Sequence, residues 1–180
     1  MHIDGDRSVE VCLKVLQKEE LSTHISIGLA ADLMLKNQLR LATAESCTGG
    51  MVAAACTDVS GSSAWFERGF VTYSNAAKAD MLGVDGALIA RDGAVSESVA
   101  RAMAAGALTH SRAQVSLAVT GVAGPTGGSD AKPVGTVWFA WATPHGITSE
   151  VQHFAGDRAA VRQATVRHAL HQLVTLLKGT

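Results

Sequence analysis

A short apolar stretch, Leu39-Arg40-Leu41-Ala42-Thr43-Ala44, runs into Glu45-Ser46-Cys47-Thr48-Gly49-Gly50, and a run of small residues, Met51-Val52-Ala53-Ala54-Ala55-Cys56, follows at once. A strand that turns this tightly into a helix belongs to a sheet covered by helices, the basic unit of α/β architecture. The same turn constrains chemistry. A serine there holds its hydroxyl at a sheet edge beside the unpaired N–H groups of a helix N-terminus, and such groups hold an anion or an oxyanion. Ser46 is therefore a candidate nucleophile, and the backbone of Cys47, Thr48, Gly49 and Gly50 a candidate substrate-binding loop. On residue type alone, a serine that merely caps a helix fits the turn as well.

Helical and strand-like patterns alternate along the rest of the chain. Residues 1–22 read as an extra, partly exposed helical element, with Val9, Cys12, Leu13 and Leu16 at helical spacing. A helix from about Thr23 to Lys36 is apolar on most sides and is expected to be well buried. Phe66–Tyr73 reads as a strand, and Asn75–Leu82 as a short helix stopped by Gly83. Ser96 is a candidate N-cap for the next helix. Val115–Val122 and Val134–Ala142 are strands, and Ile147–Phe154 pairs with the second as a hairpin across Pro144-His145-Gly146. Asp157 caps a last helix whose Val166, Ala169, Leu170, Leu173 and Leu177 share one face. The pattern predicts an α/β fold, a three-layer α/β/α sandwich with a mixed, mostly parallel sheet of about five strands, over residues 23–180.

Bulk properties exclude several classes of function. Hydrophobic residues make up 47% of the 180, enough for a substantial core. The net charge is −1 and no long Lys/Arg run occurs, so no nucleic-acid partner is expected. No apolar stretch is long enough to span a membrane, and the N-terminus lacks the order of a signal peptide. The three cysteines, Cys12, Cys47 and Cys56, fit neither a disulfide framework nor a zinc knuckle. These features predict a cytoplasmic protein that needs no metal and no cofactor.

Three further segments carry candidate chemistry. Ser46 is not in a Gly-x-Ser-x-Gly elbow, and none of the seven histidines lies in a catalytic motif. A lysine can replace histidine as the base if burial or nearby positive charge lowers its pKa. Tyr73 and Lys78, at the end of a strand and the start of the next helix, are the candidates. A surface lysine and a sheet-edge tyrosine are the plainer reading of the same residues. The long loop from Gly121 to Gly135 contains five glycines, including Gly124, and joins two apolar strands. It matches neither a P-loop nor a Gly-x-Gly-x-x-Gly site, and it is either functional or a flexible hairpin loop. Arg158 and Arg162 lie one turn apart, either a phosphate-binding pair or a solvated helical face. Cys47 is a second candidate nucleophile, behind Ser46 for want of a histidine partner.

Taken together, Thr43–Gly50, Gly61-Ser62-Ser63-Ala64-Trp65-Phe66, Val71–Asn75, Gly93–Glu97, Thr120–Pro125 and Lys132–Val137 resemble the CinA C-terminal domain family over about residues 25–177. The resemblance implies hydrolysis of the carboxamide of nicotinamide mononucleotide to nicotinic acid mononucleotide and ammonia, in recycling of pyridine nucleotides. It implies catalysis by Ser46, Tyr73 and Lys78. Gly121, Gly124, Gly135, Thr136 and Arg162 join the Cys47–Gly50 loop in binding a mononucleotide substrate, and the protein is expected to be a homo-oligomer. A non-catalytic nucleotide-binding module of the same fold is the alternative.

Overall fold

The computed structural model describes residues 22–179. The element predicted over residues 1–22 lies outside this range, save Ser22, the first described residue of a helix over residues 22–36 (α1). Five strands form one sheet in the order β2-β1-β3-β4-β5: β1 (Leu41–Glu45), β2 (Phe66–Val71), β3 (Val115–Gly121), β4 (Thr136–Thr143) and β5 (Gly146–His153). β1 pairs in parallel with both β2 and β3, while β3–β4 and β4–β5 are antiparallel. Four of the five strands therefore point the same way and only β4 runs against them, as a mixed, mostly parallel sheet requires.

The helices divide between the two faces according to the side chains they cover. Leu41, Leu117, Val119, Val137, Phe139 and Trp141 face one way, into a core closed by α1, α2 (Met51–Thr57) and α6 (Arg158–Lys178). Ala42, Ala44, Ala118, Ala140 and Ala142 face the other way, against α3 (Asn75–Leu82), α4 (Gly86–Asp92) and α5 (Glu97–Thr109). The alternation follows from the two-residue period of a strand. Small residues on the second face let α5 lie close to the sheet. The strand-end serine helps: Ser116 Oγ donates to the carbonyl of Ala104 on α5 at 2.7 Å. On the first face, Trp141 Nε1 donates to Ala169 O on α6 at 3.1 Å, so the large ring is buried without an unpaired N–H.

Local signals place the ends of the elements. Ser74, Ser96 and Asp157 cap α3, α5 and α6 through their side chains, and Gly83 ends α3 with φ 66°. Two expectations change. α1 is amphipathic, not buried all round: Ile27 and Met34 are buried, but Ile25 is 54% and Leu29 41% exposed. Its apolar residues exceed what one core-facing stripe can cover. Tyr73 does not end a strand: β2 stops at Val71, and Tyr73 sits in the short link before α3.

The sheet order determines where a site can form. From β1 the chain crosses to β2 on one side through α2, then returns past β1 to β3 through α3, α4 and α5 on the opposite face. The carboxyl end of β1 is thus a switch point, where α/β sheets open a crevice. Closure of the other half depends on Gly135, which has φ +93°, where a Cβ would lie 2.0 Å from Phe154 O. Gly135→Ala is expected to cost on the order of 3 kcal/mol of stability, through left-handed strain and a backbone clash, read as a lower midpoint in urea unfolding.

Candidate active site

Ser46 follows β1 directly, and its N–H donates to Val119 O of β3 at 3.0 Å. The chain then turns: Gly49 N donates to Ser46 O at 3.1 Å, with Gly49 and Gly50 at φ 60° and 100°. The glycines are required because a β-carbon resists this region. Just past the end of β2, Thr72 N donates to Glu45 O at 2.7 Å and ties the start of the Tyr73 link to the serine turn. Lys78, at the fourth position of α3, points back into this corner. Its Nζ lies 3.0 Å from Ser46 Oγ and donates to Thr72 O at 2.9 Å.

Lys78 is 1% exposed, and burial lowers its pKa from the ordinary lysine range. Among the described residues no carboxylate hydrogen-bonds the amine to oppose that effect. A neutral Lys78 has a lone pair for the Ser46 proton while one of its own N–H groups stays on Thr72 O. Cys47 beside it is not a competing nucleophile. Burial, with the Glu45 charge acting the same way, pushes its thiol up to about 11.

The other candidates fall into two arginine-centred groups. Arg162 donates from Nε to Cys47 O at 3.1 Å and from Nη2 to Thr48 O at 2.9 Å, so it braces the serine turn from α6. Arg158 donates from Nη1 to Gly124 O at 2.8 Å and from Nη2 to Tyr73 Oη at 2.7 Å. It joins the glycine loop to Tyr73, which is 61% exposed. No hydrogen bond joins Tyr73 to Ser46 or Lys78; its one side-chain partner among the described residues is Arg158. Gly121 closes β3, and Gly135 and Thr136 use their backbone groups to fasten the far end of the loop. Val122 N donates to Thr136 O, Gly135 N to Val122 O, and Phe154 N to Gly135 O. Thr136 is 3% exposed, and its hydroxyl has no hydrogen-bond partner among the described residues. No group of three or more His, Cys, Asp or Glu among the described residues is arranged to hold a metal. No described helix is long and apolar enough to cross a membrane.

Sequence reasoning missed Glu45. It is 1% exposed, yet its carboxylate accepts four hydrogen bonds: Oε2 from Thr48 Oγ1 at 2.7 Å, Gly50 N at 3.0 Å and Val52 N at 3.0 Å, and Oε1 from Ala53 N at 2.8 Å. The first turn of α2 is therefore capped from the preceding strand. A glutamate immediately before a Ser-x-Thr-Gly-Gly turn was the available signal.

An α/β sandwich with a serine and a buried lysine in contact at its switch point has the form of a histidine-free enzyme site. Residues 25–177 match the CinA C-terminal domain. The nicotinamide-nucleotide amidohydrolase PncC of Escherichia coli K12 is 59% identical over 133 residues, 73% of this chain and 80% of the relative. The protein of the same name from Pseudomonas putida is 56% identical, over 76% and 86% of the two chains. A CinA superfamily protein from Escherichia coli, known from its crystal structure, superposes with a TM-score of 0.83 at 43% identity, over 86% of this chain and 90% of that one. The chain belongs to the CinA C-terminal domain family.

Proposed function

We propose that this chain hydrolyses the carboxamide of nicotinamide mononucleotide, giving nicotinic acid mononucleotide and ammonia. The observation that carries the reading is the 3.0 Å contact between Lys78 Nζ and Ser46 Oγ, in a chain so similar to nicotinamide-nucleotide amidohydrolases. Ser46 Oγ attacks the carboxamide carbon as its proton passes to Lys78. The carbonyl becomes a tetrahedral oxyanion against the backbone of the serine turn. Collapse breaks the C–N bond. The nitrogen takes a proton from Lys78, with the Arg158-held Tyr73 hydroxyl assisting, and leaves as ammonia. Water then hydrolyses the Ser46 ester and releases the acid. No cofactor enters this sequence, and it serves pyridine nucleotide recycling.

Phosphate recognition follows from which donors remain. Glu45 takes three N–H groups at the start of α2, so that helix end is not open to a phosphate. The groups left near the crevice are the Gly121–Gly135 loop and the guanidinium groups at the start of α6. Arg162→Ala is expected to weaken the mononucleotide by about ten- to hundred-fold, the usual cost of a lost charge-assisted contact, and to affect nicotinamide riboside less. Equal losses on both would mean that Arg162 acts only through the carbonyls of Cys47 and Thr48. The reading as a whole is tested by incubating the purified protein with nicotinamide mononucleotide. Equimolar acid and ammonia are expected; binding without ammonia release would replace the enzyme with a nucleotide-binding module.

A further inference from the structure

Around the serine turn nearly every backbone N–H has an acceptor. Ser46 N is on Val119 O, Gly49 N on Ser46 O and Met51 N on Thr48 O, while Gly50, Val52 and Ala53 point at Glu45. Among the described residues the Thr48 N–H has no acceptor, and the Cys47 N–H has none but its own thiol. Their peptide units are held at the opposite ends. Ser46 O accepts from Gly49 N, and Cys47 O accepts from Arg162 Nε. A trans peptide directs its N–H away from its C=O, so anchoring each carbonyl aims each N–H. The remaining freedom of the turn lies on its C-terminal side, where Glu45 bonds the Thr48 hydroxyl and the first N–H groups of α2 at once.

We infer that Glu45 is a positioning residue: its carboxylate locks the turn so that the Cys47 and Thr48 N–H groups face the charge that develops beside Ser46 Oγ. The inference rests on the serine–lysine reading proposed above and adds the residue that builds its oxyanion site. A carboxylate is the group that suits the task, because it is acceptor-only and can take all four donors. A glutamine in its place turns an NH₂ group toward backbone N–H donors.

The test uses a fluorophosphonate, which needs no nucleotide. Ser46 Oγ forms a bond to phosphorus, its proton goes to Lys78, fluoride leaves, and the phosphonyl oxygen takes the oxyanion position. Glu45→Gln is expected to lower the limiting rate of Ser46 phosphonylation by about ten- to hundred-fold, somewhat less than removing an oxyanion donor outright. The pH midpoint of labelling, set by Lys78, stays where it is, and unfolding stays cooperative above the assay temperature. If Glu45→Gln does not fold, Thr48→Val, which removes one of the four donors, carries the test with a several-fold slowing. Labelling as fast as wild type overturns the inference. So does a loss accompanied by a shifted pH midpoint, which would make Glu45 a modulator of the lysine charge. A wild-type protein that resists the reagent overturns it too. A wild type that labels but releases no ammonia from nicotinamide mononucleotide overturns only the substrate assignment.

Discussion

Ser46→Ala is expected to abolish turnover of nicotinamide mononucleotide, by a factor of about 10³ or more, while the protein folds and still binds the nucleotide. The size follows from what the hydroxyl does. Without it no ester can form, and only a slow attack by water across the same oxyanion site remains. The fold has little to lose, because the hydroxyl's one side-chain partner among the described residues is Lys78, and the turn is held by Val119, Gly49, Arg162 and Glu45 through other atoms. Cys47, one residue on, does not take over, since its thiol is held up to about 11 and is almost entirely protonated at neutral pH. The measurement is ammonia release by the variant at saturating substrate, with thermal unfolding as the control. Turnover near the wild-type rate would remove Ser46 from the mechanism.

The fold was largely legible because its signals are local. Apolar runs marked β1, β3 and β4, spaced apolar residues marked β2, the hairpin turn marked β5, and Gly83, Ser96 and Asp157 set helix ends where capping chemistry places them. α4 escaped notice: only seven residues long, it contributes Leu88 and Ile89 to the core, too little for a period to show. The candidate site was legible in part. Ser46 and Lys78 are 32 residues apart and meet because β1 and β2 pair side by side; both residue types were singled out, but not the pairing that joins them. The Arg158–Tyr73 contact spans 85 residues and the Arg162 bonds to the serine turn more than a hundred. Nothing in local pattern reports on such contacts. Glu45 was hidden for a different reason. A buried carboxylate satisfied by backbone N–H groups has no charged partner, so charge patterning does not reveal it.

Lys78 gives the second large effect, and its sign with pH is fixed by the direction of its shift. Burial lowers its pKa, so more of it is neutral near physiological pH than of a solvated lysine. The limiting rate with nicotinamide mononucleotide is therefore expected to rise with pH and level off below the ordinary lysine range, as the amine loses its proton. Stability moves the same way. With the folded value below the unfolded one, the unfolded chain binds more protons between the two. Unfolding free energy then rises with pH across that window, and the cost of burying an ammonium is felt fully only below it. Lys78→Met is expected to remove turnover by a factor of about 10²–10⁴, the typical range for a lost general base. It should leave the protein at least as stable near neutral pH, since the buried amine is gone. Lys78→Arg should not rescue, because a guanidinium stays protonated throughout this range and cannot accept the serine proton. An active Lys78→Arg protein with the rising pH limb intact would show that the lysine only supplies positive charge and that another group takes the proton.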